Sequence, residues 1–356
     1  MGPMDGTLDH YLRGLEAGDA FSGVVRITAG DDERFAGAYG FASRAWHVPN
    51  TLATRFDTAS ITKLFTAVAA LQQVDRGVFA LDTPVIGYLD LGGTVISPAV
   101  TVRQLLSHTS GIGDDADEEA GESYEAIWRT RPSYSVQETA DFLPGFSQRE
   151  PNFAPGQGCR YNNAGYVLLG LMIERATGHS YRDVVREDVF AAAGMGDSDF
   201  LRMDRVNELL AEGADPIRDD AGTITGWKRN IYSYPPVGSP DGGAHVTAAD
   251  LDRFLRAVLE GRLLAPDSTA AFLAPQVLYR VRDGWTQHFG FGPWFRVDAA
   301  GAIVFLEKEG MNAGVSGLVR HYPGRHLTVV ILSNLEEGAW DPAGFVHDLV
   351  VAGAFG

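Results

Sequence analysis

Strand-like runs stand at both ends of this chain and helical periodicity fills its middle. That arrangement limits the fold more than any other feature. An amphipathic helical pattern over 5–17 precedes two strand-like runs, 21–28 and 34–39, with Gly30-Asp31-Asp32 as their turn. After Pro275 come the runs 277–282, 289–297, 303–308, 315–322 and 327–332, separated by Gly and Pro, and then a closing helix over 346–352. Between these ends, apolar spacing predicts helices over 61–74, 102–106, 124–128, 163–176, 181–192 and 248–259. In the first of them Leu64, Phe65, Val68 and Leu71 form the apolar stripe, and Gly77 is placed to stop it. One antiparallel sheet built from both termini, with an α-rich unit inserted, satisfies this order. The expected class is α/β (α+β). Residues 1–80 and 223–356 would form the sheet domain, 81–222 the helical domain, and an active site would lie between them.

Composition narrows the function. With 356 residues, 45% of them hydrophobic, the chain can bury a large core. A net charge of −17 disfavours nucleic acid, whose phosphates need a basic face. The single cysteine, Cys159, permits no internal disulfide and no Cys-based zinc site, and no His-Glu-x-x-His or comparable metal motif occurs. Residues 1–20 lack the apolar core of a secretion signal and no run is long enough to span a bilayer, so a cytoplasmic location with no membrane partner is expected. The segment 113–122 holds six acidic residues without the carboxylate and Gly spacing of a calcium loop, and reads as solvated. No cofactor is implied, and the oligomeric state is not legible.

The chemistry is marked by lysine. Among 29 basic residues only Lys63, Lys228 and Lys308 are lysines. Arginine cannot be deprotonated in a protein, whereas a desolvated lysine exchanges protons near neutral pH. Lys63 follows Ser60 by three positions where a helix begins, so the two side chains share a face. A serine in a first helical turn meets unpaired N–H groups and the positive end of the dipole, which favour an alkoxide. Farther on, Tyr161-Asn162-Asn163 opens another apolar helix. Tyr161 as a phenolate at neutral pH needs roughly 4 kcal/mol of help. One ammonium about 4 Å away supplies a similar amount at an effective dielectric near 20.

These residues resemble the motifs of the serine β-lactamase and penicillin-binding-protein superfamily, on the branch of class C β-lactamases, DD-peptidases and related esterases. Ser60-x-x-Lys63, Tyr161-x-Asn163 and Lys308-x-Gly310 occur in that family's order. Leu105-Leu106-Ser107-His108-Thr109-Ser110-Gly111-Ile112 and Gly242-Gly243-Ala244-His245 are similar to intervening family stretches. The resemblance implies a β-lactamase/transpeptidase-like fold and a set of roles. Ser60 would be the acylated nucleophile, with Lys63 and Tyr161 sharing acid and base duty. Asn163 would hydrogen-bond Lys63 or the substrate, and Lys308 would lower the Tyr161 pKa. The backbone N–H groups of Ser60 and Met311 would form the oxyanion hole, and Gly310 would let its strand approach the substrate.

One departure matters. The family's third motif usually carries threonine or serine in the middle, where this chain has Glu309. A carboxylate there repels an anionic substrate by about 1 kcal/mol at contact distance. The expected activity is therefore hydrolysis of a small neutral ester, or an amide, through an acyl-enzyme on Ser60. Trp285, Phe289, Phe291 and Trp294 are candidate walls of the acyl pocket. Acyl transfer, D-aminopeptidase, DD-carboxypeptidase and β-lactamase activities are the enzymatic alternatives. A non-catalytic sensor of penicillin-like ligands is the alternative of another class.

Overall fold

In the computed structural model, which describes residues 3–355, the two ends of the chain meet in one antiparallel sheet. Residues 1, 2 and 356 of the expected sheet domain lie outside the described residues. The eight strands run in the spatial order 32–39, 23–29, 327–333, 315–322, 303–312, 294–298, 285–289, 277–282. The N-terminal hairpin thus docks on the last strand, with Val25 opposite Ile331 and Ile27 opposite Val329.

Strand alternation sends neighbouring residues to opposite faces, and each face is covered. Val25, Ile27, Val329 and Ile331 pack against Leu8 and Leu12 of helix Pro3–Ala17 and Val346 and Val350 of helix Trp340–Val351. Their sequence neighbours Val24, Val330 and Leu332 join a larger core that runs through Leu64, Phe65 and Val68 to Tyr166, Leu168 and Met172. The helices of the middle segment and this sheet face therefore share one continuous core. Each such side chain contributes about 1.5–3 kcal/mol by leaving water.

Helix Lys63–Asp75 is the axis of that core. Residues 63 to 73 are all buried, so it is enclosed on every side and not merely along one stripe. Its polar residues are tied down accordingly. Thr66 Oγ1 donates to the Pro240 carbonyl at 2.6 Å, and Gln72 Nε2 donates to the carbonyls of Asp188 and Leu263.

Three local expectations need correction. The expected single strand over 289–297 is a hairpin: Phe289 ends one strand, Gly290 N–H bonds the Pro293 carbonyl, and Trp294 begins the next. Gly292, at φ +108°, takes a backbone conformation that side-chain-bearing residues avoid. The expected α-helical start at Ile61 is a 3₁₀ turn over Ala59–Thr62, with the α-helix beginning at Lys63. The expected helix over 181–192 is α from Tyr181 to Val184, widens to a π-helix over Val185–Ala191 and is α again at Ala192.

Candidate active site

The nucleophile turn is fixed from several sides. Thr58 Oγ1 donates to the Ala244 carbonyl at 2.8 Å, and Ala244 N–H donates to Thr62 Oγ1 at 3.0 Å. Asp57 Oδ1 accepts the Ala59 N–H at 2.7 Å. These bonds hold Ala59 at φ +41°, a conformation that costs a residue with a Cβ of order 1–3 kcal/mol. In a 3₁₀ turn, side chains three apart eclipse one another. Lys63 Nζ accordingly sits 3.0 Å from Ser60 Oγ.

Lys63 is fully buried, and its Nζ also donates to Asn163 Oδ1 at 2.7 Å and to the Asp241 carbonyl at 2.6 Å. Burial lowers its pKa, against the pull of the Asp241, Glu118 and Asp114 carboxylates. When Lys63 is neutral, its N–H groups serve the two carbonyl-type oxygens and its lone pair faces the Ser60 hydroxyl.

Tyr161 reaches the same hydroxyl from the other side, its O–H donating to Ser60 Oγ at 2.7 Å. Both amines stand near its ring, Lys63 Nζ at 5.1 Å and Lys308 Nζ at 4.8 Å from the centroid. His108 supports the ring from behind at 4.8 Å between centroids, and the His108 Nδ1 accepts the Asn162 N–H. The expected resting phenolate is corrected. Burial, reinforced by Glu118, raises the Tyr161 pKa well above its ordinary value, so the phenol stays protonated. Burial also pushes the Lys308 ammonium down to about 7, with Lys63 adding to the shift, so the pair does not bring two full charges to the phenol at neutral pH. The third lysine, Lys228, forms an exposed ion pair with Glu125.

Lys308, Glu309, Gly310 and Met311 lie on strand Ile303–Asn312. A Cβ on Gly310 would fall 2.1 Å from the Thr58 carbonyl oxygen and 3.1 Å from the Ser60 nitrogen, so glycine lets this strand meet the nucleophile turn. Asn312 pairs with Val315 across a two-residue loop and closes the hairpin. Ladder alternation then turns the backbone groups of Glu309 and Met311 to the other edge, where the neighbouring strand begins only at Trp294, opposite Glu307. The Met311 N–H therefore faces the open cleft beside Ser60. The Glu309 side chain shares the strand face of Glu307, which pairs with Arg320, and not that of Lys308. It lines the outer cleft.

The acidic segment is not the solvated loop expected from its composition. Asp114 is buried, and its two oxygens accept the N–H groups of Asn163 at 2.7 Å and Ala164 at 2.8 Å, which caps helix Ala164–Thr177. Glu118 accepts from Asn163 Nδ2, and Glu119 accepts the Tyr161 N–H and the Tyr279 hydroxyl. The segment is thus a wall of the site. A cap supplied from fifty residues upstream leaves no local pattern to read.

Ser60 opens onto two cavities. The outer cleft, about 630 Å³, is lined by Tyr161, Tyr279, Phe289, Trp294, Lys308 and Met311. The inner pocket, about 60 Å³, is lined by Asp57, Tyr234, His245 and Gly242 among others. Two expected pocket residues lie elsewhere. Phe291, 1% exposed, is drawn into the main core by the hairpin turn, and Trp285 stacks with the Arg296 guanidinium at 4.4 Å outside the cleft. Tyr124 and Tyr279 line it instead. Burial pushes the Cys159 thiol up to about 12, which leaves it a poor nucleophile. Among the described residues no group of three or more His, Cys, Asp or Glu is placed to hold a metal ion, and no helix is long and apolar enough to cross a membrane.

Comparison with known proteins agrees with this geometry. The family model described as Beta-lactamase matches residues 8–347. Penicillin-binding protein 4 of Amycolatopsis lactamdurans is 27% identical over 313 residues, covering 83% of this chain and 76% of that protein. Esterase EstB of Burkholderia gladioli is 35% identical over 207 residues, covering 56% of this chain and 51% of the esterase. The crystal structure of a penicillin-binding protein from Bacillus halodurans superposes with a TM-score of 0.87 at 36% identity, over 95% of this chain and 99% of that one.

Proposed function

Because the chain belongs to the beta-lactamase family of serine hydrolases, we propose that it cleaves small esters or amides that lack a free carboxylate, through an acyl-enzyme on Ser60. The reading rests on one observation above the others: Lys63 Nζ and the Tyr161 hydroxyl both lie within hydrogen-bond reach of Ser60 Oγ, at 3.0 and 2.7 Å.

In acylation, neutral Lys63 takes the Ser60 proton as Oγ adds to the carbonyl carbon. The developing oxyanion meets the N–H groups of Ser60 and Met311, each such donor being worth about 3 kcal/mol. As the tetrahedral species collapses, the Tyr161 hydroxyl gives its proton to the departing alcohol or amine, and Lys63 returns a proton to the phenolate. The net result is transfer of the serine proton to the leaving group. Water then enters the leaving-group position, and the same two residues carry its proton in the opposite sense to release the acid and restore Ser60.

The restriction on substrate charge is supported by the outer cleft. Glu118, Glu119, Glu309 and Glu336 line it beside Lys308 and Arg280, while Glu122 and Glu125, which also line it, are paired with Arg149 and Lys228. Each nearby carboxylate opposes an anionic substrate by about 1 kcal/mol in a solvated cleft.

Burst kinetics with p-nitrophenyl acetate and with nitrocefin, which carries a carboxylate, test the reading. The ester should give a stoichiometric burst and turnover, with kcat/KM for nitrocefin lower by about tenfold or more. Faster turnover of nitrocefin would reject the charge argument, and turnover by Ser60→Ala would reject the nucleophile.

A further inference from the structure

We propose that His108 is a positioning residue for the proton donor Tyr161 and thereby sets how poor a leaving group this enzyme can expel. The inference rests on the serine-hydrolase reading and deepens it. In that reading the scissile C–O or C–N bond breaks as the Tyr161 proton passes to the departing oxygen or nitrogen. Such a proton matters most when the leaving group is a weak acid, because a stable anion departs without one. The placing of the Tyr161 hydroxyl therefore decides which bonds are cleaved.

Tyr161 lies in the irregular segment that precedes helix Ala164–Thr177, so no helix or strand of its own holds it. His108 grips that segment on both sides. Its backbone carbonyl accepts the Arg160 N–H at 2.9 Å, and its Nδ1 accepts the Asn162 N–H at 3.1 Å. The imidazole also packs on the phenol ring, 4.8 Å between centroids and 35° from parallel. One residue thus fixes the backbone before and after Tyr161 and one face of its ring. The fold permits this because helix Val102–Leu106 ends at Ser107 and His108 turns the chain at φ +58°. His, Asn and Asp take that left-handed conformation more readily than other residues that bear a side chain.

The grip needs an acceptor as well as a ring. His108 is buried, and its Nε2 has no hydrogen-bond partner. A phenyl group would fill much the same space and leave no polar atom unpaired. What it would lack is the Nδ1 lone pair on the Asn162 N–H. Burial lowers the His108 pKa well below its ordinary value, and Lys308 and then Lys63 add to the shift. The ring is therefore neutral at the pH of catalysis, and Nδ1 remains an acceptor.

Two esters with one acyl group provide the test. p-Nitrophenyl acetate and phenyl acetate form the same acetyl-enzyme, so their kcat/KM values differ through the leaving group alone. p-Nitrophenoxide departs readily, whereas phenoxide needs the proton. His108→Phe keeps a ring and loses the acceptor. Its kcat/KM should fall about tenfold or more for phenyl acetate and about threefold or less for p-nitrophenyl acetate, part of the roughly 10²–10⁴-fold that positioned proton transfer contributes. His108→Leu, which also lacks the acceptor, takes its place if the phenyl variant does not fold. His108→Asn offers a side-chain oxygen as acceptor and should return the ratio of the two esters toward the wild-type value. A loss of folded protein scales both esters alike and leaves that ratio unmoved. A ratio unchanged in the acceptor-free variant, or shifted as far in His108→Asn, would overturn the assignment while leaving the serine hydrolase intact. If neither ester acetylates Ser60 in the wild type, the serine-hydrolase reading itself falls, and the inference with it.

Discussion

Gly310→Ala should disable the site with one added carbon. The new Cβ would stand 2.1 Å from the Thr58 carbonyl oxygen, whereas real Cβ atoms essentially never come closer than 3.0 Å to such a neighbour. Strand and nucleophile turn must therefore part by about 0.9 Å, on a scale where a 1 Å misplacement costs about 10²-fold in rate. The displacement opens the gap between the N–H groups of Ser60 and Met311, and loss of one oxyanion donor costs a similar 10²–10³-fold, or roughly 3 kcal/mol. Overpacking should also remove about 1–3 kcal/mol of stability. The assay is the acylation burst with p-nitrophenyl acetate, with the folded fraction fixed by thermal denaturation. Gly324→Ala, whose Cβ would meet nothing within 4 Å, is the control. A folded Gly310→Ala protein acylating within threefold of the wild type would refute the reasoning.

Further outcomes follow from the same geometry. Lys63→Arg keeps a cation but removes a base that can lose its proton, so acylation should fall by at least about 10²-fold across pH 6–9, read in the same burst assay. Asp114→Ala should cost about 1–3 kcal/mol in denaturant unfolding, because two helix-capping bonds to Asn163 and Ala164 vanish. Burial, with His326 nearby, pushes the His321 imidazole down to about 4. The unfolded chain therefore binds more protons between about pH 6.5 and 4, and stability is lost as pH falls through that window. His321→Gln should lose about 2–3 kcal/mol less than the wild type between pH 7.5 and 4.5, measured by urea unfolding, and equal losses would rule His321 out as the cause.

What was legible in the sequence was local or periodic. The two ends of the sheet could be read because alternation and turn residues are written along the chain, and helix 248–259 could be read because one face is polar. Ser60, Lys63, Tyr161 and Lys308 stood out because scarce lysines fell at motif spacings, and the structure brings the four together. Features that depend on contacts between distant segments stayed hidden. The acidic segment looked solvated because its composition says nothing of the helix end that Asp114 caps. Phe291 looked like a pocket residue because an aromatic run does not reveal the hairpin turn that carries it inward. The phenolate expectation set the charge of two lysines against only some desolvation loss, whereas burial weakens both ammonium groups and the phenolate.

The most direct test of the shared hydroxyl is acid-quenched mass spectrometry of the chain after brief exposure to p-nitrophenyl acetate, followed by peptide mapping. A single acetyl group on the peptide containing Ser60, absent in Ser60→Ala and strongly reduced in Lys63→Arg, is the predicted result. Acetylation at another residue with Ser60 unmodified, or an equal Ser60 adduct without the Lys63 amine, would contradict it.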